Sequence, residues 1–124
     1  MNKEFIPYEQ ALELKELGFD EECLAFYHKG LLRQANCQGS IDQTICTPLY
    51  QQAFRWFREN HGLIPNIMPL CKGGEDHISI YDWEIYSTTS NKGWEEEVEV
   101  GYVDTQEEAE LACLKKLIEI AKEK

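Results

Sequence analysis

Apolar positions recur with a helical period in three stretches of the chain and with a period near two in the stretches between them. The first helical stretch runs from about Pro7 to Leu17, with Pro7 suited to the first helical position and Gly18 as a stop. Leu14 and Phe19 then fall where a Schellman-type end usually makes an apolar contact. The second is TPLYQQAFRWFRENHG, Thr47 to Gly62, with Thr47 as N-cap, Pro48 at the first position and Gly62 just past the end. At about 100° per residue, Leu49, Tyr50, Ala53, Phe54, Trp56 and Phe57 share one arc of about 160°. Gln51, Gln52, Arg55, Arg58 and Glu59 fill the other side, so the arginines point away from the rings that flank them. This predicts an inward-packing stripe rather than a nucleic-acid or ligand surface. The third helix starts at Thr105, where T-x-x-E with Glu108 makes a capping box. It carries Ala109, Cys113, Leu114, Leu117, Ile118, Ile120 and Ala121 on one face, with acids early and lysines late as the helix dipole favours.

Between the helices the pattern is that of strands. ECLAFYHKG followed by LLRQA reads as a hairpin turning at Lys29-Gly30. LIPNIMPLC is apolar but interrupted by Pro65 and Pro69, which predicts an edge strand or an extended loop. HISIYDWEIYS and WEEEVEVGYV form a further hairpin around TTSNKG, and NCQGSIDQTIC and the segment around CKGGED read as loops. The expected fold is α+β, one globular domain over 1–124. Three helices pack on one face of a mainly antiparallel sheet of four to five strands, in the order α-ββ-α-βββ-α.

Charge narrows the function classes. The net charge is −11: residues 1–62 carry six Lys/Arg against nine Asp/Glu, and residues 63–124 six against fourteen. Such a chain repels phosphate backbones and anionic membranes and attracts basic partners. No stretch is apolar enough to span a bilayer and the N-terminus lacks a secretory pattern, so the expected compartment is the cytoplasm. The five cysteines are odd in number and irregularly spaced, which reads as free thiols in a reducing environment, with Cys113 a core residue.

Signatures of known chemistry are missing. There is no G-x-S-x-G, P-loop, dinucleotide fingerprint or H-E-x-x-H, and Gly73-Gly74 is followed by two acids that would repel a phosphate. Cys37, Cys46, Cys71, His61 and His77 could in principle ligate zinc, but none form the close pairs such sites use. No catalytic residue, metal ligand or cofactor is assigned.

The acidic hairpin is the most informative feature. Folded symmetrically with Ser87 opposite Trp94, it places Glu84 across from Glu97 and Asp82 across from Glu99 on one face, with Tyr81, Trp83 and Ile85 on the other. Opposed like charges cost stability. A solvated, aggregation-resistant face accounts for them, and a docking surface for a basic partner is the functional alternative. A weak divalent-cation site on the same carboxylates is a lesser one.

Three blocks, ALELKELGFDEECLAFY, TPLYQQAFRWFRENHGL and EEAELACLKKLIEI, resemble a family of short uncharacterised proteins encoded by bacteriophages, prophages and related mobile elements of gut bacteria. The resemblance implies action in a bacterial cytoplasm and carries over no functional residue. The expected function is therefore a small non-enzymatic interaction protein that binds a host or phage protein, with Asp82, Glu84, Glu97 and Glu99 as the partner-binding residues. The partner is a protein rather than nucleic acid or membrane. The alternatives are an enzyme with a carboxylate or divalent-metal site and a homodimer or larger homo-oligomer.

Overall fold

The computed structural model describes residues 4–38, 43–71, 80–87 and 96–123, the stretch 96–100 by its backbone alone. The order is α1 (Tyr8–Glu16), β1 (Ala25–His28), β2 (Leu31–Arg33), β3 (Thr44–Thr47), α2 (Tyr50–His61), β4 (Leu63–Leu70), β5 (Ile80–Ser87), β6 (Glu96–Val103) and α3 (Gln106–Lys122). The α+β class is as expected, but the strands form two antiparallel three-stranded sheets, β2-β1-β3 and β4-β5-β6, where one sheet of four to five was expected. The chain divides into two compact units at Ala53/Phe54, a boundary inside α2.

In the first unit, α1 ends as its sequence dictates. Gly18 takes φ 101°, the Phe19 N–H donates to the Leu14 carbonyl at 3.0 Å, and the Gly18 N–H donates to that of Lys15 at 3.0 Å. That is the Schellman arrangement, and Leu14 and Phe19 are both buried. The β1–β2 hairpin turns through two left-handed residues, Lys29 (φ 52°) and Gly30 (φ 81°), the type I′ geometry that matches strand twist.

The element not foreseen is β3. Its residues TICT pair with the other edge of β1, from Ala25↔Thr47 to His28↔Thr44. Thr47 is thus a buried strand residue rather than a helix cap. Its hydroxyl donates to the Ile6 carbonyl at 2.6 Å, and α2 begins three residues later. The Tyr27 hydroxyl donates to the same carbonyl at 3.1 Å, and the Ile6 N–H donates to Pro48 O at 3.1 Å. The segment before α1 is thereby sewn to the end of β3.

The free-thiol expectation is corrected for two cysteines. Cys37 and Cys46 form a disulfide across Cα atoms 5.8 Å apart, while Cys23, Cys71 and Cys113 are free. Sequence spacing could not show this. Main-chain pairing of Cys37 with Cys23 and of Cys46 with Phe26 brings the two sulfurs together.

The stripe on α2 behaves as its period predicts except for Leu49, which is half-buried and precedes the helix. Tyr50, Ala53, Phe54, Trp56 and Phe57 are buried, while Gln51, Arg55, Arg58 and Glu59 are exposed. Gly62, at φ 64°, ends the helix and passes the chain into β4.

In the second unit, α3 starts on its expected cap, with the Thr105 hydroxyl accepting from the Glu108 N–H at 3.1 Å. It packs against all three strands of the β4-β5-β6 sheet. Its buried residues Ala109, Cys113, Leu114, Leu117, Ile118 and Ala121 match the predicted stripe except for Ile120, which is half-buried. β4 is an edge strand, as its prolines require.

Candidate functional site: the open face of the second sheet

Residues paired directly across an antiparallel ladder share a face of the sheet. On β5, Trp83 and Ile85 are buried, as is Leu63 opposite Ser87, so the odd-numbered side of β5 is the one covered by α3. The even-numbered side, Ile80, Asp82, Glu84 and Tyr86, looks the other way, and its members are half-buried.

The register of this sheet differs from the symmetric hairpin. Trp83 pairs with Gly101, Glu84 with Val100 and Asp82 with Tyr102; after an irregularity at Ile85/Tyr86, Tyr86 pairs with Glu97 and Ser87 with Glu96. Glu99 pairs with Ile85. The opposed pairs Glu84/Glu97 and Asp82/Glu99 are therefore not formed, and the four carboxylates do not share the register positions expected. The physical reason is the Trp83 indole. A Cβ built on Gly101 would lie 2.6 Å from its Cε2, so the ring occupies space that only a glycine leaves free. The turn TTSNKG, the loop CKGGED beyond Cys71, and Trp94 lie outside the described residues.

What the register assembles on the open face is a row across all three strands: Met68, Asp82 and Tyr102. Met68 is 47% exposed and Tyr102 72% exposed, both unusually accessible for side chains of that size. Asn66 and Glu84 form the next row, and Ile64 and Tyr86 the one beyond. The Tyr86 hydroxyl donates to Glu84 Oε2 at 2.5 Å, which fixes that carboxylate along the strand. Partial burial pushes the Asp82 carboxyl above the ordinary aspartate range, and the neighbouring Glu84 charge and a hydrogen bond to Glu84 add to it. Where Ile80 and Tyr102 end the face, a cleft of about 430 Å³ opens, lined also by Val103, Asp104 and Glu108.

Chemically this is an acid-centred surface with an apolar and aromatic surround. The three strands contain five carboxylates and no lysine or arginine. Among the described residues no three His, Cys, Asp or Glu side chains are grouped to hold a metal ion. Asp82 and Glu84 were singled out from sequence, and the structure places them side by side on this face. Met68, Tyr86 and Tyr102 were not singled out, because only the register brings them beside the carboxylates. Among the described residues no helix is long and apolar enough to cross a membrane. No family model, curated protein or solved structure matches the chain.

Proposed function

We propose that the chain is a non-enzymatic interaction protein that binds a basic protein segment through the open face of the β4-β5-β6 sheet. The observation that carries this reading is the row Met68–Asp82–Tyr102, in which a carboxyl lies between two large, exposed apolar side chains. Such a surface complements a segment that alternates lysine or arginine with apolar residues. The charges select the partner and set its approach, and the apolar groups supply contact area. A second copy of the chain would oppose carboxylate to carboxylate across this face, so the occupant is a different, basic chain. The phage-like helical blocks support placing that partner in a bacterial cytoplasm.

The test uses a synthetic peptide alternating arginine and leucine, with a glutamate-for-arginine peptide as control, and amide chemical-shift mapping. The expected result is saturable shifts at Met68, Asp82, Glu84 and Tyr102, weakened by salt and absent with the acidic peptide. Asp82→Asn with Glu84→Gln should lower affinity at least tenfold, and Tyr102→Ala should lower it independently. Glu97→Gln with Glu99→Gln separates the contribution of β6. Shifts confined to other surfaces, or affinity unchanged in the Asp82/Glu84 variant, would remove the proposal.

A further inference from the structure

Three sulfur-bearing residues meet in the first unit, away from the proposed binding face in sequence and chemistry. Cys37 is bonded to Cys46, and Cys23 stands across the main-chain ladder from Cys37. The Cys23 N–H donates to the Cys37 carbonyl at 2.6 Å and the Cys37 N–H donates back at 2.9 Å. The three differ sharply in access. Cys37 is partly exposed, Cys46 is buried at 7% exposure, and Cys23 is wholly buried.

From this placement we propose that Cys37 is a thiol-exchange site, modified by low-molecular-weight thiols to a mixed disulfide, with Cys46 as leaving and resolving thiol. The thiolate of the small molecule attacks Cys37 Sγ. Its S–S bond to Cys37 forms as the Cys37–Cys46 bond breaks, and the electron pair leaves on Cys46 Sγ, which takes a proton from water. In the return step the Cys46 thiolate attacks Cys37 Sγ and expels the small thiolate. One disulfide is consumed and one formed each way, so no external oxidant or reductant enters.

Access sets the direction of attack, because an exchange needs a nucleophile in line with the sulfur it strikes, and Cys37 is the more exposed of the two bonded residues. Cys46 stays where it can resolve the adduct. Its backbone is paired with Phe26 of β1, and Thr47, the last residue of its own strand β3, is tied to Ile6. The return step is therefore intramolecular and favoured by proximity.

Cys23 is the obvious competitor, and its surroundings disarm it. Burial, with Glu21 and Glu22 adding charge, pushes its thiol up to about 12, and its Sγ–H is directed to the Glu21 carbonyl at 3.4 Å. At neutral pH its thiolate fraction is then on the order of one in a hundred thousand, too small to attack the adjacent disulfide.

The test treats oxidised Cys71→Ser protein, which lacks the exposed free thiol, with reduced glutathione. Samples are quenched in acid over time and mapped by mass spectrometry without reduction. The expected adduct is on Cys37, with Cys46 newly free. In Cys46→Ser, whose Cys37 is a free thiol, oxidised glutathione is used instead: the Cys37 thiolate takes one half and expels the other as thiolate, and once excess glutathione is removed that adduct should persist at least tenfold longer for want of the resolving thiol. If that serine variant does not fold, the quenched time course with Cys46 intact decides alone. An adduct on Cys46 or Cys23 overturns the proposal, as does the absence of any Cys37 adduct at every time point. Opening only at the rate of global unfolding, or a starting map without the Cys37–Cys46 link, overturns it equally.

Discussion

Gly101→Ala is the sharpest test of how the second sheet is assembled. A Cβ at this position would sit 2.6 Å from Trp83 Cε2 and 2.7 Å from Cζ2 and Nε1. Carbon atoms in contact normally stand about 3.5–4.0 Å apart, so the indole must retreat by about 1 Å. It has little room to do so, because Trp83 is only 9% exposed on the side of the sheet that α3 covers. Overpacking of this kind costs about 1–3 kcal/mol. Alanine recovers about 0.5–1 kcal/mol through the smaller entropy of its unfolded chain. The net expectation is a loss of about 1–2 kcal/mol, read from the urea midpoint by tryptophan fluorescence and far-UV circular dichroism. In a Trp83→Leu background the collision is gone, and the same substitution should be neutral or stabilising. The symmetric hairpin makes the opposite prediction, since it places Val98 rather than Gly101 across from Trp83. Unchanged or increased stability of Gly101→Ala in the wild-type background would refute the Trp83–Gly101 pairing.

Three further outcomes are expected. The Cys37–Cys46 bond closes a loop of sequence separation 9, for which chain entropy gives a stabilisation of about 2.7 kcal/mol; Cys37→Ser with Cys46→Ser should lower the urea-extrapolated stability by about 2–3 kcal/mol. Thr47→Val removes a buried hydroxyl that donates to the Ile6 carbonyl at 2.6 Å and should cost about 1–2 kcal/mol by the same measurement, with slightly faster amide exchange at Ile6 as a local readout. Asp82 should titrate above the ordinary aspartate range in carboxyl-detected NMR and move down in Glu84→Gln. Because its folded pKa is raised, the folded state holds this proton more tightly. Its contribution to stability therefore falls as pH rises from the ordinary aspartate pKa through the raised one, and Asp82→Asn should abolish that slope.

The elements legible from sequence were those whose signals are local. The Leu14–Gly18–Phe19 helix end, the Lys29-Gly30 turn, the Thr105 cap and the buried stripes of α2 and α3 each follow from a few neighbouring residues, and the structure reproduces them. What escaped depends on partners distant in the chain. β3 is four residues long, and its Thr47-Pro48 step imitates a helix start; only the pairing with β1 and the tie to Ile6 decide otherwise. The hairpin register misled because valines at 98, 100 and 103 supply apolar residues in either phase. A lone glycine within a strand was the available clue, since it marks where a bulky neighbour needs room. Of the candidate site, Asp82 and Glu84 were readable as charges, whereas Met68 and Tyr102 joined them only through the register.

The prolines of β4 have a consequence for crowding. Pairing with β5 runs unbroken through Pro65↔Ile85 and Pro69↔Tyr81, although neither proline has an N–H to give. Strand prolines sit where the missing donor would have pointed outward, and Leu63, Pro65, Ile67 and Pro69 share that phase of the ladder. Two of the four outward donors along this rim are thus deleted. A stray extended chain arriving edge-on would find only every second donor it needs, which weakens templating into a growing ribbon. At the concentrations reached in a packed cell, this rim resists fibrous assembly through backbone chemistry, with no demand on the side chains of the open face.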